Sequence, residues 1–356
     1  MAESLKDKTA KGLFWGGFSN GAQQLLNLLF GIVLARLLDV NDYGMIAMLS
    51  IFSLIASTLQ EGGFISALTN RRNASHADFN SVFWFCSAVG FSLYALLALA
   101  APLISAFYSI DELTPLARLS FLSFAISSLG IAPRAILFKN LKVKQATIIN
   151  LSALLISGCV GIFLAYNGWA YWGIAWQTIT FVSVTTALNF YFAKWHPSLS
   201  FSIKPIREMF GFSSKIIVTN IFTIINNDLL SVILGRLYSQ HEVGNFNQAN
   251  KWNSMGHNLI TGMINGIAQP VFSSIDNSAR QLAVFRKLLR FTALVSFPVM
   301  LGICFIAPEL IVIAITDKWI ESVPLLQILC CWGAFVPIIK LYTNLLISRG
   351  LSGIYM

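Results

Sequence analysis

Apolar residues in this chain run in blocks too long for a soluble amphipathic helix and too continuous for alternating strands. Blocks of roughly 20 residues, the helix length that crosses about 30 Å of hydrocarbon, fall at about 13–36, 44–67, 80–106, 114–137, 146–166, 169–193, 211–235, 242–272, 286–315 and 322–347. The pattern predicts ten transmembrane helices in an all-α, polytopic membrane protein. Composition agrees, with 56% hydrophobic and 11% charged residues against about 25% charged in soluble domains. The polar leader from Met1 to Lys11 precedes an apolar run long enough to span. It is expected to be a short amphipathic flank and not a cleavable signal peptide.

The short loops between the blocks alternate in charge. Lys6, Lys8, Lys11, Arg71, Arg72, Lys139, Lys142, Lys144, Lys194, Lys204, Arg207, Arg280, Arg286, Lys287, Arg290 and Arg349 fall on one side. Asp39, Asp42, Asp111, Glu112, Glu242, Asp317 and Glu321 fall on the other, with Arg36, Arg118, Arg236 and Lys318 as its cations. The positive-inside rule makes the first side cytoplasmic and places the N-terminus there. The net charge of +9 is then a topology signal, and no nucleic-acid partner is expected.

One segment recurs at an offset of 200 residues. Leu34, Ala35, Arg36, Leu37, Asp42 and Gly44 return as Leu234, Gly235, Arg236, Leu237, Glu242 and Gly244; Asn20, Asn27 and Gly62 return as Asn220, Asn227 and Gly262. Amides and arginines are costly inside apolar runs, so their coincidence carries more weight than matched leucines. Six crossings separate the copies, which implies parallel repeats related by an axis along the membrane normal. Ala101-Pro102 answers Ala307-Pro308, and Pro115 answers Pro324. The expected lobes are residues 1–197 with six helices and residues 198–356 with four. The second lobe is two helices short of its counterpart, so the chain is expected to be a fragment of a longer protein.

Polar residues cluster on the repeated helices. The first block carries Asn20, Gln23, Gln24 and Asn27; the second carries Ser50, Ser53, Ser57 and Gln60, followed by Glu61. The seventh carries Lys215, Thr219, Asn220, Thr223, Asn226, Asn227 and Asp228. In the eighth, Asn247, Lys251, Ser254, Asn258, Thr261 and Asn265 follow helical steps along one face. Such stripes either line a water-filled path or join helices through hydrogen bonds worth about 0.6–2 kcal/mol each. The length of the stripes favours a path, at which the four helices can meet between the lobes. Asn20, Gln24, Asn27, Lys215, Asn220, Asn227, Asn247, Lys251 and Asn258 are the candidate path residues. Lys215 and Lys251 are candidates for an anionic ligand. Asp228, whose counterpart is Leu28, is either an ion-coupling site or a salt-bridge partner, and Glu61 is a second candidate for coupling. Arg36 and Arg236 stand at helix ends, where Arg snorkels, and are expected to be structural. The five cysteines have no metal-ligand spacing and read as packing residues. No cofactor or metal is expected.

Leu34-Ala35-Arg36-Leu37-Leu38 followed by Asp42-Tyr43-Gly44, with Asp228 and then Gly235-Arg236-Leu237 and Val243-Gly244, resembles the repeated signature of Wzx-type polysaccharide flippases. These belong to the multidrug/oligosaccharidyl-lipid/polysaccharide exporter superfamily. The resemblance implies a MATE-like, V-shaped pair of lobes in the bacterial inner membrane. It implies transfer of undecaprenyl-pyrophosphate-linked oligosaccharide to the periplasmic leaflet for O-antigen, capsule or exopolysaccharide synthesis. The implied partners are the lipid-linked oligosaccharide, membrane lipids, and polysaccharide polymerase and assembly proteins.

Two other classes compete. A multidrug or cation antiporter on the same fold would favour buried carboxylates and aromatic walls, whereas these stripes hold amides and lysines. A membrane-embedded glycosyltransferase or polymerase would need an extramembrane loop bearing catalytic carboxylates, and Asp111-Glu112 reads as a turn. The sequence therefore points to a transporter and not an enzyme.

Overall fold

The computed structural model describes residues 5–71, 74–273 and 277–349. Thirteen helices follow one another: α1 (Leu5–Leu37), α2 (Val40–Glu61), α3 (Phe64–Asn70), α4 (His76–Tyr108), α5 (Leu113–Lys139), α6 (Val143–Tyr166), α7 (Tyr171–Ala193), α8 (Ile203–Leu237), α9 (Gln240–Ser273), α10 (Ser278–Phe305), α11 (Ala307–Ile315), α12 (Ser322–Gly333) and α13 (Val336–Ser348). Helix covers each of the ten expected spans. Three spans are split, between α2 and α3, between α10 and α11, and between α12 and α13. Among the described residues there is no strand, and the fold is all-α as expected. The side chains of Lys6, Lys8 and Lys11 in the leader, and Arg72, lie outside the described residues.

Among the described residues, seven segments are long and apolar enough to cross a membrane: Val40–Thr69, His76–Tyr108, Leu113–Lys139, Val143–Tyr166, Ile217–Leu237, Arg280–Phe305 and Ser322–Leu346. The other three expected crossings, α1, α7 and α9, are helices of 33, 23 and 34 residues. Their length suffices, but polar side chains reduce their apolarity. Their assignment as crossings rests on the alternation of loop charge.

The 200-residue offset is kept in the backbone. α1 ends at Leu37 and α2 begins at Val40, while α8 ends at Leu237 and α9 begins at Gln240. Asp39 and Asp42 form a reciprocal capping box at the start of α2, in which the Asp39 N–H donates to Asp42 Oδ2 at 3.0 Å. Ser239 and Glu242 stand at the same two positions relative to α9, a Ser-x-x-Glu spacing that suits the same device. The acidic part of the repeated motif thus starts a helix. Gly235 serves close packing, since a Cβ there would lie 2.8 Å from Tyr108 Cε1. The guanidinium of Arg236 lies 5.4 Å from the centroid of the Phe107 ring.

The copies diverge at Gly62. Gly62 and Gly63 both take left-handed φ values, 52° and 68°, and they end α2 before α3 starts. In the second copy Met263 stands in place of Gly63, and α9 runs unbroken through Gly262 to Ser273. Two successive left-handed residues suit two glycines, which only the first copy has. Proline landmarks diverge in the same way: Pro102 lies inside continuous α4, whereas Pro308 opens α11 after a break at Ile306.

By compactness the chain forms two units, Met1–Ser239 and Gln240–Met356. This boundary differs from the one that the repeat places at 197/198, because α8 packs with the first unit. The segment joining α7 to α8 is strapped across the start of α4. Ser198 N–H donates to Asn80 Oδ1 at 2.8 Å, Trp84 Nε1 donates to Ser198 O at 2.7 Å, and Ser202 N–H donates to Ser81 Oγ at 3.2 Å. The Asn80 amide also donates to the Ser200 carbonyl. Arg71 reaches Glu208 on α8 at 2.8 Å and Asp78 on α4 at 3.5 Å. Below these bonds Ile206 and Met209 of α8 join a buried cluster with Phe64, Leu68, Phe83 and Trp195. The second unit packs α12 and α13 against α9, with α10 beside them. A lobe division at 197/198 remains a proposal based on the repeat.

Candidate functional site

In the first unit the split between α2 and α3 opens a cavity of about 230 Å³ against α8. Its polar lining comes from Ser57, Thr58, Glu61, Ser66 and Asn220, and its apolar lining includes Ile65 and Ile217. Arg134 of α5 donates to Glu61 Oε1 at 3.2 Å, with both side chains at least half exposed. Sequence reasoning weighed Glu61 for ion coupling and missed this partner inside the fourth span. The pairing gives Glu61 a counter-charge, and Glu61 and Asp228 both remain candidates for coupling. Gln60, one residue before Glu61, is buried and donates to Ser127 Oγ at 2.7 Å, tying α2 to α5.

Two further faces in this unit are open. On α1, Asn20, Gln24 and Asn27 are all exposed, while Gln23 turns back to donate to Ser19 Oγ at 2.8 Å. On α8, Asn220 and Asn227 are exposed and Asp228 is partly buried. Asp228 makes no ion pair among the described residues. The side chain of Lys215 lies outside the described residues.

In the second unit, α9 is polar on more than one side. Asn247 and Lys251 are partly exposed and Asn258 is exposed; no carboxylate pairs with Lys251 among the described residues. Sequence reasoning missed a second set, Asn245, Gln248 and Asn253, whose exposures are 0%, 1% and 2%. Their carbonyl oxygens find no hydrogen-bond donor among the described residues, and Trp252 Nε1, His257 Nδ1 and Thr261 Oγ1 are likewise buried without partners among them. The amide of Asn245 does donate to Glu321 Oε2 at 3.2 Å, beside a 2.8 Å contact between that oxygen and His241 Nε2. Asn253 packs against Gly333, where even a methyl group would collide with its Oδ1. The signal for this interior set was Gly256 within a run of amides, a small residue that permits close helix contact.

An all-helical, multi-pass architecture with a split helix and amide-lined faces is of the kind found among membrane transporters. Comparison agrees at the level of fold: an inward-facing multidrug-resistance MATE transporter of the MOP superfamily superposes with a TM-score of 0.72 at 15% identity, over 93% of this chain and 82% of that one. The lipid II flippase MurJ gives 0.68 at 18% identity, over 94% and 76%.

The model of a family described as polysaccharide biosynthesis protein matches residues 33–324, and the chain belongs to that family. The likeness to Wzx-type proteins read from the repeated motif is borne out. The lipopolysaccharide biosynthesis protein WzxC of Escherichia coli K12 is 25% identical over 93% of this chain and 68% of its own length. An uncharacterized membrane protein in the cps region of Klebsiella pneumoniae is 26% identical over 97% and 72%. The teichuronic acid biosynthesis protein TuaB of Bacillus subtilis is 22% identical over 98% and 72%.

Proposed function

We propose that this protein moves an undecaprenyl-pyrophosphate-linked oligosaccharide from the cytoplasmic to the periplasmic leaflet of the bacterial inner membrane by alternating access, with its N-terminus in the cytoplasm. The observation that carries this reading is the density of amides and hydroxyls on long helices of a family that builds polysaccharides. A glycan needs a surface of mixed donors and acceptors, which Asn20, Gln24, Asn27, Asn220, Asn227, Asn247 and Asn258 supply. A pyrophosphate needs cations, which Lys215 and Lys251 supply as charge-assisted donors. Asp228 is the proposed coupling residue, because a carboxylate in a crossing helix is costly and such residues mark ion paths. Polysaccharide polymerase and assembly proteins would receive the flipped substrate.

The test uses the purified chain in vesicles that contain a fluorescently tagged polyprenyl-pyrophosphate disaccharide, with a membrane-impermeant quencher outside. Protein-dependent acceleration of quenching of the inner-leaflet pool supports the reading. Ethidium movement without any change in the rate of lipid-sugar flipping would instead support the cation-exporter reading.

A further inference from the structure

We propose that the cavity between α2, α3 and α8 binds a single pyranose ring, and so reads the sugar identity of the cargo. The inference rests on the flippase reading for its biological role, though not for its chemistry. At about 230 Å³ the cavity is smaller than the roughly 300–1,000 Å³ that encloses a drug-sized ligand. It suits one ring.

The lining matches a ring with a hydroxylated rim and a C–H face. Ser57, Thr58 and Ser66 donate and accept, Asn220 does both through separate atoms, and Glu61 accepts through two oxygens. Ile65 and Ile217 offer apolar surface to the C–H face, and Gly63 adds no side chain to block approach. Local charge argues for a neutral polyol. The lining carboxylate of Glu61 is paired with Arg134 at 3.2 Å, so a phosphate would meet a carboxylate and a cationic dye would meet a carboxylate that already has its counter-charge.

The backbone points the same way. The Gly62 N–H closes onto Thr58 O, but two left-handed residues then end the ladder, so later carbonyls of α2 need other donors. Within a span, backbone of this kind is tolerated where it lines a polar cavity. Sugar hydroxyls are suitable donors. The second repeat has no such break, since α9 continues through Gly262 and Met263. The broken backbone that lines the site is thus a feature of the first repeat among the described residues. It lies in the half of α2 that leads to the basic loop at Arg71, the end from which a cytoplasmic cargo would load.

The experiment titrates the full chain in lipid nanodiscs with methyl pyranosides by calorimetry, taking neutral hexoses, 6-deoxyhexoses, N-acetylhexosamines and hexuronates in turn. At least one should saturate with a millimolar Kd. Glu61→Gln and Asn220→Ala should each weaken that binding at least about tenfold, the loss expected for a removed charged or bidentate hydrogen bond. Cys331→Ala, at an exposed position in the other unit, should leave it unchanged. The proposal is overturned if no pyranoside saturates, if binding survives both cavity substitutions, or if sodium chloride alone, against choline chloride, produces the signal. Wild-type flipping that Glu61→Gln and Asn220→Ala leave intact would sink the sugar site and spare the flippase reading. Saturable, cavity-dependent glycoside binding by a chain that flips nothing would do the reverse.

Discussion

At the scale of single residues, the polar side chains of this membrane protein divide into those that cap and pack helices and those for which a cargo-binding role is proposed. Asp39 and Asp42 close a helix start, Arg236 lies over an aromatic ring, and Gln60 cross-links α2 to α5. Each satisfies a structural need, so none is free to hold a ligand. Lys251 differs, for it sits partly exposed on α9 with no carboxylate partner among the described residues. Loss of a charged hydrogen bond costs about 1.5–3 kcal/mol, so Lys251→Ala should slow flipping at least tenfold at unchanged protein abundance. Lys251→Arg should keep part of the rate, because the charge stays while its geometry changes. Normal flipping by the alanine variant would assign the pyrophosphate to other residues. Gly333 offers a purely structural contrast. Its missing Cβ makes room for Asn253 and Met300, and Gly333→Ala should lower the thermal midpoint in detergent by an amount equivalent to about 1–3 kcal/mol of overpacking.

At the scale of elements, spans were legible and breaks were not. All ten apolar blocks became helix, and among the described residues seven are long and apolar enough to cross, because the bilayer demands length and apolarity together and both can be read from the order of residues. The split at Gly62 was hidden by the repeat itself, which matched Gly62 to Gly262 and so hinted at equal geometry. What decides the outcome is the next residue, glycine in one copy and Met263 in the other. The interior amides of α9 were obscured for a related reason. A stripe is visible against an apolar background, but α9 carries polar groups on several sides, and only packing against Gly333 and Met300 shows that Asn253 faces inward. Arg134 was masked by the apolar residues around it, so the pairing of Glu61 went unseen. These differences yield paired expectations for thermal unfolding. Gly62→Ala puts a Cβ 2.9 Å from the Phe64 ring at a left-handed φ, so it should cost at least about 1–2 kcal/mol. Gly262→Ala meets nothing within 4 Å in an unbroken helix and should gain about 0.5–1 kcal/mol. Equal effects at both positions would deny that the break needs glycine.

At the scale of the whole molecule, the repeat and the contacts divide the chain at different places, and each has a physical origin. The repeat records where a six-helix unit begins again. The contacts record where packing energy concentrates, and the strap from Trp195 to Ser202 holds α8 to α4 through bonds that the repeat does not contain. Orientation depends on neither, but on loop charge. Lys139, Lys142 and Lys144 flank one turn, while Asp111 and Glu112 form another; translocation of clustered cations is disfavoured, which sets the side. Single cysteines test this in a background where Cys86, Cys159, Cys304, Cys330 and Cys331 are replaced by alanine. Leu141, Leu199 and Tyr238 are 64%, 94% and 70% exposed, and Glu112 is exposed, so cysteines there should disturb little packing. In sealed cells a membrane-impermeant maleimide should label Glu112→Cys and Tyr238→Cys, and should reach Leu141→Cys and Leu199→Cys only after permeabilisation. External labelling at either of the latter two positions would invert the orientation, and with it the assignment of the pyranose cavity to the loading side.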